Sequence, residues 1–271
     1  MSISAVVCTW NAAASIDACL RSLRPQVDEL IVVDADSTDG TRTIVKRFAD
    51  HLFTDPRQGL AMARNIGISQ ASGEELLNAG ADNVFPPGSV RQLVTARHAS
   101  GWSGVGACTV PLERGRLARH CRWWWQARFF PGERPVIGTP NLFSRQLLQQ
   151  HPYDPAAGHA DDTEICERLA SQGHRFGIST VQVYECGMAS PTAVRERCRR
   201  YGASDAHYWR RHIQSWGFRR RVRSLLHPWR AQLGDVWPRL DLDQRCDALP
   251  FLLWITWLRY RGWWRCRGDH G

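Results

Sequence analysis

Lysine is nearly missing from this chain: Lys46 stands alone among 35 Lys and Arg residues. No recognition motif accompanies the arginines, so no nucleic acid is expected as a partner, and a nucleic-acid-binding protein is the weakest reading. CxxC pairs are missing among the nine cysteines, an odd number. Zinc-ribbon chemistry and a disulfide framework are thereby excluded, and a reducing cytoplasm is the expected compartment. Long apolar runs are missing as well. The best of them, "ALPFLLWITWL" at 248–258, falls far short of the roughly 20 residues that cross a bilayer. The opening "MSISAVVCTWNAAAS" lacks the basic start and cleavage site of a secretory signal, and reads as a first strand. No internal repeat or low-complexity linker divides the chain.

What is present is ordinary in amount and uneven in place. The 271 residues, 43% hydrophobic and 23% charged, suffice for one sizeable core with a smaller appendage. The net charge of +9 is not spread evenly: residues 1–190 hold 18 basic against 19 acidic side chains, and residues 191–271 hold 17 against 7. The same final stretch carries 8 of the 13 tryptophans. A neutral domain over 1–190 followed by a basic, aromatic, helical extension over 191–271 is the organisation this predicts.

Within the first part, short β-branched runs alternate with helical spacing. "ISAVVCTW", "ELIVVDAD", "HLFT" and "EELLNAGAD" read as strands. "NAAASIDACLRSLRPQ", "TRTIVKRFAD" and "GLAMARNIGISQAS" read as the helices between them. Such alternation predicts an α/β fold, a mostly parallel sheet with helices on both faces. Ligands of such sheets bind beyond the carboxyl ends of the strands. Three of those ends break into polar residues: Thr9-Trp10-Asn11, Asp34 to Asp39, and Asp82-Asn83. After residue 90 the pattern loosens, although "DDTEICERLASQGHRFG" reads as a helix closed by Gly173 and "PTAVRERCRRYGASDAHYWRRHIQSW" as a long basic helix.

In order and spacing, "VVCTWNAAASIDACLRSL", "ELIVVDADSTDGT", "GLAMARNIGISQASGE", "GADNVFPPG", "GTPNLFSRQLL" and "DDTEICERLASQGHRFG" resemble the family 2 glycosyltransferases over about residues 2–205. The resemblance implies a GT-A (Rossmann-like) fold and an inverting hexosyl transfer from a nucleotide-sugar donor, a UDP-sugar being favoured, to an acceptor hydroxyl. Residues 1–90 would bind the donor; residues 91–190 would hold the acceptor side and the base. On this resemblance Thr9, Trp10 and Asn11 grip the nucleoside, with Trp10 on the base. Asp34 accepts from base or ribose, and Asp36 stands in for an acid replaced by Ala35. Arg64 and Asn65 line the donor pocket. Read locally, Ser37 and Asp39 are more simply turn and helix-start residues.

The family's Asp-x-Asp falls on Gly80-Ala81-Asp82, so its first acid is missing. The resemblance implies that Ala81 and Asp82 lie at the donor and that Asp82 holds a divalent cation, Mg²⁺ or Mn²⁺. Asn83 and Glu185 would be further oxygen donors. Magnesium accepts one or two carboxylates together with substrate phosphates, so a single acid can suffice. Asp162 is implied as general base, with Asp161 as the fallback, and Arg200 as a cation on the donor diphosphate. The acceptor, a glycan, lipid-linked saccharide or small molecule, is expected near 100–135, where "RWWWQARFF" offers stacking surfaces. The arginines and tryptophans of the extension suit a helix lying on an anionic membrane surface, which would place the protein peripherally on its cytoplasmic face. Packing of Trp254, Trp257 and Leu258 onto the catalytic domain is the other account of that segment. A catalytically degenerate sugar-nucleotide-binding scaffold is the competing function, because Gly80 leaves the cation site thin.

Overall fold

The structure is a computed structural model describing residues 1–268. The chain forms two compact units: residues 1–110 with 131–186, and residues 111–130 with 187 onward. In the first, β1 (Ile3–Thr9), β2 (Glu29–Asp34), β3 (His51–Thr54) and β4 (Glu75–Gly80) are parallel and lie in the order β3-β2-β1-β4. These are the four strands that the alternating pattern predicts. Beyond β4 the sheet continues through β8 (Asn141–Ser144), β6 (Gly104–Pro111), β9 (Phe176–Glu185) and the two-residue β5 (Asn83–Val84). Here the pairings of β4 with β8, β8 with β6, and β9 with β5 are antiparallel, as is that of β7 (Gly132–Arg134) with β9. Strand direction is set by the route of the connection, and the later connections are not single crossover helices.

Side chains alternate across the strands, so each face of the sheet finds its own helices. Ala5, Val7, Leu30 and Val32 are buried under α1 (Ile16–Leu23) and α4 (Ser89–Ser100), through Leu20, Leu23, Val90 and Leu93. Each such leucine contributes about 1.5–3 kcal/mol of burial. Val6 points the other way, against α3 (Leu60–Gln70) at Gly67. The helix expected from "TRTIVKRFAD" is only α2 (Thr41–Val45). Two further helices, α6 (Arg145–Gln150) and α7 (Asp161–Ala170), complete this unit.

The second unit is helical: α5 (Arg116–Arg128), α8 (Pro191–His212), α9 (Phe218–Leu225), the one-turn α10 (His227–Trp229) and α11 (Leu242–Gly268). Its core joins Cys121, Trp124 and Trp125 of α5 to Val194 and Cys198 of α8 and to Ile255 and Leu258 of α11. This narrows the expectation for "RWWWQARFF" to its half-buried rings, Trp123, Phe129 and Phe130. Trp124 is fully buried, its indole N–H donating to Gln232 Oε1 at 2.7 Å, and Trp125 is nearly so. Neither presents a ring for stacking a sugar. Leu258 likewise serves this helical core. α8 and α11 touch backbone to backbone: a Cβ on Gly202 would lie 1.9 Å from the carbonyl oxygen of Arg259, and one on Gly262 would lie 2.3 Å from that of Arg199. A partly buried ion pair sits at the same crossing, Arg259 donating to Asp205 at 2.7 and 2.9 Å.

Candidate functional site

The parallel register sets three strand ends side by side in the first unit. Thr9 pairs with Asp34, and Cys8 with Gly80. After β1 the Thr9 hydroxyl is buried with no hydrogen-bond partner, and Trp10 is 61% exposed. Asn11 takes a left-handed backbone (φ 46°), its N–H donating to Ser37 Oγ and its side-chain oxygen accepting from Thr38 N–H. The turns after β1 and β2 are thereby tied together.

Asp34 is placed differently from its expected role. Its carboxylate is fully enclosed, accepting from the Ser37 hydroxyl at 2.5 Å, from Ser37 N–H at 3.0 Å and from Arg42 Nη1 at 3.0 Å. With both oxygens engaged it braces the turn. Asp36 is exposed, with a left-handed backbone at φ 55°. Arg57, which the sequence did not single out, straps this turn by donating to the carbonyls of Ala35 and Asp36 at 3.2 and 3.0 Å. Asp39 serves the local function read for it, accepting from Thr41 and from Ala13 N–H, and these bonds hold its carboxyl below the usual range.

A second cluster is built on α3 and α7. Arg64 of α3 is buried, and its Nη1 donates to Asp161 Oδ2 at 2.6 Å and to Asp162 Oδ1 at 2.9 Å. Its other terminal nitrogen donates to the Thr139 hydroxyl, and its guanidinium lies 5.0 Å from the centre of the Tyr153 ring. The expectation that Arg64 lines a donor pocket is therefore corrected: its charge is committed to the acid pair. Burial works against that charge, but Asp162 and Asp161 more than offset it. Asn65 is also corrected. Both ends of its amide bond the backbone of Tyr153, at 2.8 and 2.9 Å, which joins α3 to the segment before α7.

The two acids of α7 are not equivalent. Asp161 is 2% exposed, and burial raises its pKa to about 6, opposed by Arg64 and reinforced by Asp162. Its Oδ1 accepts from Asp162 N–H at 3.0 Å, so it anchors the helix start. The Asp162 side chain is 25% exposed. Its Oδ1 is held by Arg64 and, more loosely, by Asn141 Nδ2 at 3.5 Å, while Oδ2 accepts no hydrogen bond from the described residues. A chain of amides leads back to the sheet, Asn78 of β4 donating to Asn141 at 3.1 Å. Asn78 and Gly80 share one face of β4, because strand side chains repeat every two residues. Thr139, Asn141 and Asn78 were not singled out from the sequence. The lone asparagine inside the apolar run "ELLNAG" was the available signal.

At the end of β4 the missing side chain of Gly80 has a consequence. A Cβ there would stand 2.6 Å from Asp82 Oδ1, so the Asp82 carboxylate occupies the space that a first acid would need. Asn83 is buried, and its side-chain oxygen accepts from Gly80 N–H at 2.8 Å, which makes it a brace of this turn. Glu185 is buried directly across the β5–β9 pair from Asn83, and Cys186 N–H donates to the Asp82 carbonyl at 2.8 Å. Ala81 is half-buried between them. Among the described residues no group of three His, Cys, Asp or Glu is placed to hold a metal ion. The donor set fits a cation that is shared with ligand oxygens and does not fit an all-protein cage. Arg200 lies exposed on α8, in the second unit.

Comparison with known proteins identifies the family and the fold. The profile described as Glycosyl transferase family 2 matches residues 4–143. Glycosyltransferase AglE of Haloferax volcanii is 35% identical over 211 residues, 70% of this chain and 67% of that protein. In fold, the chain is similar to mannosyltransferase PcManGT from Pyrobaculum calidifontis, described in complex with GDP-Man and Mn²⁺. That match has a TM-score of 0.69 at 20% identity and covers 100% of this chain and 88% of the other. It is also similar to glucosyl-3-phosphoglycerate synthase from Mycobacterium tuberculosis, described with Mn²⁺ and UDP, with a TM-score of 0.56 at 20% identity over 78% of this chain and 79% of that one.

Proposed function

Because this chain belongs to glycosyl transferase family 2 and is a glycosyltransferase of GT-A fold, we propose that it inverts a sugar at its anomeric carbon. The sugar moves from a nucleoside-diphosphate donor, a UDP-sugar by preference, to a hydroxyl of a glycan or lipid-linked saccharide. The observation that carries this reading is the inequality of the two acids on α7. Asp161 is enclosed and anchors the helix, whereas Asp162 keeps one oxygen free and a quarter of its side chain in solvent. A general base must reach the proton it removes, and Asp162 meets that requirement.

In the transfer, the acceptor oxygen attacks the anomeric carbon and its proton passes to Asp162 Oδ2. The bond from that carbon to the diphosphate breaks, and the diphosphate leaves with the electron pair. Arg64 holds Asp162 Oδ1 in place, so that Oδ2 faces the acceptor without reorganisation. Trp10, exposed at the end of β1, stacks on the nucleobase. Asp36 is the acid available to the ribose once Asp34 is committed to its turn. Asp82 would hold a divalent cation, with Mn²⁺ favoured by the structural neighbours, and that cation would supply neutralisation of the diphosphate charge.

No helix of the described residues is long and apolar enough to cross a membrane, and the reading places the enzyme in the cytoplasm. The test is a thermal-shift panel of nucleotides and nucleotide sugars with and without Mn²⁺ or Mg²⁺, followed by turnover with the donor it identifies. A cation-dependent shift by one nucleotide family is expected. Nucleotide binding without transfer to any acceptor, and unchanged by Asp162→Asn, would favour the scaffold function that Gly80 invites.

A further inference from the structure

The helical unit displays apolar surface that its own core does not use. α9 contains no buried residue, and Phe218 is 80% exposed with Val222 and Leu225 also open. At about 100° per residue these three fall on one stripe, flanked by Arg219 on one side and Arg221 on the other. α11 repeats the arrangement. Leu252, Ile255 and Leu258 fill the core, yet Leu249, Leu253 and Trp257 are exposed on a single stripe of the same helix. The guanidinium of Arg261 lies 5.1 Å from the Trp257 ring centre. A helix apolar on both sides is one that has something on both sides. The two stripes are neighbours, because the Tyr260 hydroxyl of α11 donates to the Leu225 carbonyl of α9 at 3.1 Å.

Charge decides the occupant. The α9 stripe is edged by Arg219, Arg221 and Arg223 and the Trp257 end of the α11 stripe by Arg261, while no acidic residue falls within α9 or between Asp247 and Leu258 of α11. A second copy of the chain would set arginine against arginine. An anionic bilayer surface accepts both features at once: aromatic and aliphatic side chains at the acyl boundary, and guanidinium groups among the phosphates. We propose that the joined faces of α9 and α11 dock in the plane of an anionic phospholipid surface. The proposal does not rest on the transfer chemistry.

The full chain is mixed with vesicles of phosphatidylcholine plus phosphatidylglycerol, or of phosphatidylcholine alone, and binding is read by co-sedimentation and tryptophan emission. Binding is expected with the anionic vesicles, weakening as salt rises. Replacing Arg219 and Arg223 together by Ser is expected to weaken it roughly thirtyfold, at about fivefold per charge. Val222→Asp and Leu253→Asp, each at an exposed position that the fold does not use, are expected to abolish it separately. Equal binding to neutral vesicles, or full binding by either aspartate variant, would overturn the proposal. So would failure to bind any vesicle together with a dimer in sedimentation velocity that Val222→Asp dissociates; the face would then be a self-association surface.

Discussion

Replacing Arg64 with Met removes one cation and leaves an enclosed carboxylate, Asp161, with no positive partner of its own. Arg64 and Asp161 are both nearly inaccessible, and the bond between them is 2.6 Å. Breaking a buried pair from one side costs about 3–5 kcal/mol. For a cooperative unit of this size that corresponds to roughly 6–20 °C of melting temperature. The loss depends on pH, and its sign follows from Asp161. Burial already lifts its folded pKa to about 6, and losing Arg64 lifts it further. A carboxyl raised on folding is penalised above its folded pKa and is relieved as pH falls toward the unfolded value near 3.9. The variant should therefore lose most at pH 8 and much less at pH 5, measured by thermal unfolding of both proteins in matched ionic strength. Adding Asp161→Asn to Arg64→Met should recover a large part of the loss at pH 8. A destabilisation that is the same at both pH values, or below about 1 kcal/mol, would refute the assignment of Arg64 as the counter-ion of a buried acid.

Three further outcomes follow from the site. Asp162→Asn should lower turnover by about 10²–10⁴-fold while donor affinity by calorimetry stays within about twofold, since only the proton acceptor is lost. Asp82→Ala should abolish the dependence of nucleotide affinity on Mn²⁺; calorimetric titrations giving the same Mn²⁺ response as the parent protein would remove Asp82 from the cation. Trp10→Ala should weaken nucleotide binding by the loss of one stacking contact, about 1–3 kcal/mol, without moving the melting temperature of the free protein.

The parallel half of the sheet was legible because period-two apolar runs, turn residues and helical spacing all agree there. The antiparallel half was not, since nothing local in "GVGACTVP" or "NLFS" states which neighbour a strand will find or in which direction. The acid pair on α7 was located through the family resemblance, but its division into an enclosed and an accessible carboxylate needed Arg64, 97 residues away in sequence from Asp161. The partners of Asp34 were hidden for the opposite reason. A carboxylate at a strand end looks the same in sequence whether it meets a ligand or Ser37 and Arg42. Three adjacent tryptophans looked like a binding surface because the helices that cover two of them, α8 and α11, lie far along the chain. Burial is a property of the partner, and the partner was remote.

Gly202 and Gly262 let α8 and α11 meet with almost no interposed side chains. Most helix pairs are separated by a deformable cushion of rotamers; here two peptide rails bear on each other, pinned by Asp205 and Arg259. A push on the outer side of α11 is thus delivered to α8, and to the arginines 199 and 200 that it carries, with little slack to absorb it.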